Sequence, residues 1–200
     1  LCRSLEGMAK ASRDGSLHYV FMDWRHLPEL LSAGQAVYDN WLNLCVWAKS
    51  NAGMGSLYRS QHELVAVYKK GKRPHVNNVE LGANGRHRSN LWTYAGANTF
   101  KAGREVELGW HPTVKPLDLI CDLLRDASDP GEIVLDGFGG SGTTLIAAAH
   151  SGRTARLIEL DPLYCDVILR RYQTTFGEAP VHVPTGQSFT QRAQSAGMGG

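Results

Sequence analysis

The chain has 200 residues, 42% of them hydrophobic and 20% charged, with a mean hydropathy of −0.27. That balance buries one ordinary globular core and excludes collagen-like, coiled-coil and disordered chains. The formal net charge of +2 conceals a local polarity, because residues 59–104 carry nine Lys and Arg against Glu63 and Glu80 and stand at +7 while the remainder stands at −5.

No apolar run approaches the ~20 residues of a membrane-spanning helix, and the opening LCRSLEGMAK lacks the apolar region of a secretory signal, so the sequence reads as a soluble, cytoplasmic protein without a membrane partner. Cysteines at 2, 45, 121 and 165 form no C-x-x-C pair. They read as buried, reduced thiols, and no metal is expected.

In chain order, SLHYVFMD (16–23), LNLCVWAK (42–49) and HELVAVYKKG (62–71) are rich in β-branched and aromatic residues and read as three strands. Between the first two, HLPELLSAGQ reads as a helix, with Pro28 in its first turn and Gly34 at its end. NAGMGSLYRSQ (51–61) reads as a mobile loop, and residues 71–110 show no sustained period. Residues 59–104 carry five asparagines and five glycines interleaved with Trp92, Tyr94 and Phe100. They therefore offer phosphate contacts, amides for base edges and stacking surfaces, the needs of a polyanion partner. A solvated turn at Lys69–Arg73 followed by a glycine-rich loop accounts for the composition equally well.

Regularity returns after His111. Pro116 opens a helix that sets Leu117, Ile120, Cys121 and Leu124 on one face and stops before DPG. Then follow a buried strand (132–136), a glycine turn (137–142), a helix (143–150) and a strand (154–160), a β-α-β unit. A last helix starts at DPLY, with Tyr164, Val167, Ile168 and Tyr172 inward and Gly177 as its stop. VHV (181–183) reads as a short strand before a frayed end.

Gly137, Gly139 and Gly142 spell G-x-G-x-x-G between strand and helix, and Glu159 ends the next strand, 23 residues after Asp136. Glycines let the backbone turn sharply and let a ligand reach main-chain N–H groups, and an acid at a strand's C-terminal edge can accept ribose hydroxyls. A dinucleotide and S-adenosylmethionine both satisfy this geometry. Asp136 beside the turn disfavours a pyrophosphate and suits the cationic amino acid end of S-adenosylmethionine. Only 58 residues follow Gly142, too few for a second mononucleotide half. In HPTVKP, Thr113 and Lys115 at a helix start are placed to hold the donor's carboxylate. A plain helix cap with one surface lysine is the alternative there.

Together HPTVKP, LDGFGGSGTT and IELDPLY resemble the amino-group DNA methyltransferases, which methylate adenine N6 or cytosine N4. Their order matches the β-type arrangement of that family, with the catalytic half first, the target-recognition segment next and the donor-binding half last. The similarity extends to YVFMDWRH, NLCVWAKSNAGMGSLYRSQHEL and NNVELGANGRHRSNLW. It implies a Rossmann-like α/β methyltransferase fold, a mostly parallel sheet flanked by helices. It divides the chain into a catalytic remainder (1–70), a target-recognition segment (71–110), a donor-binding half (111–178) and a short strand with a tail (179–200). By the resemblance, Asp136, Gly137, Phe138, Gly139, Ser141, Gly142 and Thr143 surround the methionine part of S-adenosylmethionine, Glu159 holds its ribose, and Thr113 and Lys115 close the carboxylate end. Double-stranded DNA is the implied partner, with Arg59, Lys69, Arg86, Arg88 and Asn90 facing it. Gly137 departs from the family's proline, which loosens the turn.

The family grips its flipped base with D-P-P-Y or a close variant after a central strand. All eight prolines here, at 28, 74, 112, 116, 130, 162, 180 and 184, are isolated. Asp161-Pro162-Leu163-Tyr164 imitates the motif, but at a helix start its Asp reads as an N-cap and its Pro as a first-turn residue. No catalytic residue is therefore assigned in this chain. The motif is expected upstream of Leu1, with its central strand missing from the sheet and the chain alone marginally stable and inactive. Adenine N6 is expected ahead of cytosine N4. Three other readings stay open at this point: a dinucleotide-dependent oxidoreductase fragment, a non-catalytic DNA-binding module with a vestigial donor site, and methylation of RNA or protein.

Overall fold

The computed structural model describes residues 1–55, 57–96 and 114–195 of the chain. Helix α1 (Cys2–Ala11) leads into strand β1 (Leu17–Met22), a short 3-10 turn (Trp24–His26) and helix α2 (Leu27–Val37). Strands β2 (Asn40–Lys49), β3 (His62–Lys69) and β4 (Leu91–Tyr94) follow. They form a four-stranded sheet in the order β1-β3-β2-β4. β3 runs antiparallel to both of its neighbours and β4 lies parallel to β2, so the sheet is mixed and not mostly parallel as expected. Both faces of β3 are covered, which explains its nearly unbroken apolar run. Ala66 and Tyr68 face Leu5 and Ala9 of α1 and Leu30 of α2. Val65 and Val67 face the other way, into a cluster with Trp47, Trp92 and Leu119.

The second half is a β-α-β unit flanked by helices. α3 (Leu117–Ala127) precedes β5 (Ile133–Asp136), α4 (Thr143–His150), the parallel strand β6 (Thr154–Leu157) and α5 (Pro162–Phe176). Asp161 caps α5 by accepting from the Leu163 N–H at 2.8 Å, and Gly177 ends it in the left-handed region, both as the sequence indicates. α3 buries Leu119 and Leu123 along with Ile120 and Cys121, a face rotated from the expected one, so that Leu117 and Leu124 lie only at its border. A hairpin of β7 (Val181–His182) and β8 (Gln187–Ser188) ends in helix α6 (Phe189–Ser195), where a frayed end was expected.

Two local expectations are corrected. α2 runs through Gly34 to Val37, and Gly34 is buried against the Tyr68 ring, which occupies the space a Cβ would need. β4 was not foreseen: four residues are too few to show a period, and its pairing with β2 creates it.

The sheet is interrupted. Among the described residues β1 pairs only with β3 and β5 only with β6. The segments that lead into the two strands meet, since Arg13 before β1 ion-pairs with Glu132 just before β5. At their other ends the Lys115 ammonium lies 5.4 Å over the Phe21 ring, and the Lys115 carbonyl accepts from the Thr143 hydroxyl at 3.4 Å. No residue of β1 or β5 is fully buried, although both are apolar enough for a sheet interior.

Candidate functional site

The C-terminal end of β5 delivers Asp136 to the glycine turn. Its Oδ1 accepts from the Phe138 N–H at 2.9 Å and its Oδ2 from the Thr144 hydroxyl at 2.6 Å, so one carboxylate orders both the first bend and the first turn of α4. Gly140 (φ +53) and Gly142 (φ +76) take left-handed backbone that other residues rarely adopt. Gly139 donates to the Ile158 carbonyl at 2.9 Å and Gly140 to Glu159 Oε2 at 2.6 Å, which stitches the turn to the end of β6. Glu159 Oε1 accepts from the Asp161 N–H at 2.9 Å.

Asp136 is held above the usual carboxylate range, first by burial and further by nearby Glu159, against the Thr144 and Phe138 hydrogen bonds and the Lys115 charge that favour ionisation. A half-buried carboxylate of this kind gains from a cation placed beside it. Two acids and one lysine thus converge on the turn.

Phe138 projects from the turn with 59% of its surface exposed. An added Cβ at Gly137 would lie 2.7 Å from the sulfur of Met8 in α1, a flexible side chain that can give way. Ser141 and Thr143 point inward, where Arg171 Nη1 donates to the Ser141 carbonyl at 3.1 Å and to the Thr143 hydroxyl at 2.9 Å. Lys115 reaches the rim but is ion-paired with Glu63 at 3.0 Å. Thr113 lies outside the described residues. A cavity of about 540 Å³, lined by Tyr19, Cys45, Arg88 and Trp92, opens at the far end of the four-stranded sheet and does not touch the turn.

The residues expected to face DNA are not brought together. Arg59 stands in the 50–61 connection at one end of β3 and Lys69 at the other, roughly 23 Å away along an eight-residue strand. Lys69 donates to the Arg73 carbonyl, and Asn90 leans on β2 through Asn43 and the Leu44 carbonyl. Arg86 and Arg88 are engaged within the chain. Arg86 Nη2 reaches Asp126 at 2.6 Å and Asp122 at 3.3 Å, and Arg88 Nε reaches Asp126 at 2.9 Å, so both guanidinium groups fasten the 71–94 segment to α3. The acids that bind them are spaced i, i+4 on one helix, a pattern visible in the sequence but unassignable without the fold. The 51–61 connection, expected to be mobile, is cross-linked by backbone and Arg59 hydrogen bonds.

Two residues of the site escaped the sequence reading. Glu63 bridges Lys115 and, at 3.1 Å, Lys49. Arg171 pins the turn from α5; its one signal is a cation three residues after Ile168, on the apolar stripe of that helix.

A family model described as DNA methylase matches residues 3–170. The type II methyltransferase M2.MboI of Moraxella bovis is 29% identical over 153 residues, covering 72% of this chain and 55% of its own length. M1.MboII of the same organism is 29% identical over 179 residues, covering 72% of this chain and 66% of its own. The chain thus spans less than two thirds of the length of either relative. Among solved structures, the M1.HpyAVI-SAM complex aligns with a TM-score of 0.70 at 22% identity, over 86% of this chain and 81% of that one. PvuII DNA methyltransferase, described as cytosine-N4-specific, aligns at 0.68 and 16% identity, over 84% and 67%. At these identities the likeness carries the fold, the Rossmann-like α/β arrangement of DNA methyltransferases.

Proposed function

The chain belongs to the N6/N4 DNA methylase family, and from that premise we propose that it binds S-adenosylmethionine at the 137–142 turn and serves methyl transfer to an exocyclic amino group of a DNA base. The observation that carries this reading is Asp136, a half-buried carboxylate fixed by the Phe138 N–H and the Thr144 hydroxyl and raised by partial desolvation, at the mouth of a turn that also holds Glu159 and Lys115. Such a set fits a zwitterionic ligand with a ribose. Asp136 takes the ammonium, Lys115 the carboxylate once it leaves Glu63, and Glu159 the ribose hydroxyls. The donor supplies an electrophilic methyl on a cationic sulfur. The chain's own part is to orient that group, keep water from it and surround it with fixed dipoles.

Residues 1–200 contain no Pro-Pro step, and β1 and β5 each leave an edge without a partner among the described residues. We infer that turnover needs a further strand between them, so that the 200-residue chain binds the donor without methylating DNA.

Isothermal titration tests the donor site. S-adenosylhomocysteine binds and NAD does not, and Asp136→Asn weakens the former by about tenfold or more, the loss expected for one hydrogen bond to a charged group. Binding of NAD alone would give the turn to a dinucleotide. Tritiated methyl transfer by the complemented protein, followed by nucleoside separation, identifies N6-methyladenine or N4-methylcytosine.

A further inference from the structure

At the end of the four-stranded sheet where β1 and β2 finish, three large apolar side chains stand in water. Met54, Leu57 and Tyr58 are 93%, 82% and 85% exposed, all within the connection from β2 to β3. A chance loop of this composition would collapse onto the sheet, since each such side chain gains about 2 kcal/mol by burial. Here the backbone prevents it. Lys49 and Gln61 close the base of the loop, with the Lys49 N–H donating to the Gln61 carbonyl at 2.9 Å. Higher up, the Gly53 N–H donates to the Ser60 carbonyl at 2.7 Å. The Arg59 guanidinium then reaches across to the carbonyls of Gly53, at 3.1 Å, and Ala52, at 2.9 Å. The loop is a cross-braced arm with an apolar tip.

The arm is tied to the donor turn. Glu63, the second residue of β3, binds Lys49 at the root of the arm and Lys115 at the rim of the turn. At the same end of the sheet the exposed Trp24 follows β1, with the Arg25 guanidinium 5.4 Å from its ring centre. Among the described residues neither Arg25 nor Arg59 is ion-paired with a carboxylate. Cationic groups flanking flat and aliphatic surfaces match a phosphate-lined duplex better than a protein partner's apolar patch.

We propose that the tip of this arm, at Met54, Leu57 and Tyr58, is a wedge that enters a base step of duplex DNA, Leu57 and Tyr58 taking the place a base leaves when it moves toward the donor. The proposal rests on the methylase reading above and extends it to a part of the chain no donor contact involves. Apolar wedges of this kind unstack a base step at a cost of a few kcal/mol, and that cost falls where pairing is already weak.

The test compares the 200-residue chain with its Leu57→Ser/Tyr58→Ser variant on two short fluorescein-labelled duplexes, identical except for one central mismatch. Both substitutions are on exposed side chains, and melting curves check that the fold is kept. Wild type is expected to bind the mismatched duplex about tenfold more tightly than the matched one. In the variant that preference falls to about one, while titration with S-adenosylhomocysteine is unchanged. A variant that keeps the preference overturns the wedge and leaves the methylase reading standing. The wedge is also overturned if size-exclusion chromatography finds a wild-type dimer that the variant dissolves, because the tip would then belong to a second copy. Wild type that binds neither duplex while binding the donor analogue overturns the DNA reading itself, and the wedge with it.

Discussion

His18, in β1, shows how one half-buried group couples the fold to pH. Burial, aided by the Lys70 charge, lowers its imidazole to about 4. Its Nδ1 meets the Tyr38 hydroxyl at 3.1 Å, while Nε2 is buried without a hydrogen-bond partner among the described residues. In the unfolded chain the same imidazole titrates near 6.5. Between those values the unfolded state holds a proton that the folded state refuses, so stability is full above about 6.5 and declines as pH falls toward 4. His18→Phe keeps the ring and deletes the proton. Its melting temperature should fall less than that of wild type over this window; parallel acid slopes for the two proteins would refute the assignment. Asp136 has the opposite tendency, since a carboxylate raised by burial weighs against the ligand-free fold at neutral pH. That is the physical reason to expect a cation there.

Helix α3 works on two faces. Leu119 and Leu123 fill the core against Trp47 and Trp92, while Asp122 and Asp126 hold Arg86 and Arg88. For Asp122 burial opposes ionisation, but the Tyr94 hydroxyl and the two arginines outweigh it and lower its pKa. Its contribution is therefore present above the ordinary carboxylate value of about 3.9 and is lost as pH falls below it. Asp126 is the more buried of the two acids and the only one that binds both arginines at under 3 Å. Asp126→Ala leaves two guanidinium groups in part-buried surroundings with one shared partner, and is expected to cost about 3 kcal/mol in urea unfolding. A loss under about 1 kcal/mol would mean that the network behaves as an ordinary surface cluster. The same network explains why charge counting over 59–104 misleads, because two of the nine cations in that stretch are neutralised by a helix outside it.

At the scale of the molecule, the four-stranded sheet and the β5–β6 pair are joined by helices, with no backbone pairing between them among the described residues. The core cluster runs from Cys45 and Val65 through Leu119 and Ile120 to Ala147 of α4, so the halves share one apolar interior while β1 and β5 stay unpaired to each other. An unpaired strand edge exposes every second amide to solvent. Native-state hydrogen exchange should therefore protect β3 throughout and alternate amides of β1 only, with β1 becoming uniformly slow once a complementing strand is supplied. Uniform protection of β1 in the 200-residue chain would show that its edge is already satisfied.

The sequence by itself determined what short-range chemistry controls: a glycine turn between the 132–136 strand and the 143–150 helix, the Asp161 cap, the Gly177 stop, and the order of strands and helices from 132 to 177. It also carried the family, because HPTVKP, LDGFGGSGTT and IELDPLY each keep their neighbours close in the chain. Only the tertiary structure decided which charges are spent internally and which surfaces stay open. Arg88 meets Asp126 across 38 residues and Glu63 meets Lys115 across still more, and no local pattern records such pairings. Gly34 shows the same limit, for what reads as a helix stop is space reserved for Tyr68. Backbone conformation is set by nearest neighbours, whereas charge pairing and close packing depend on which distant segments the folded core brings together.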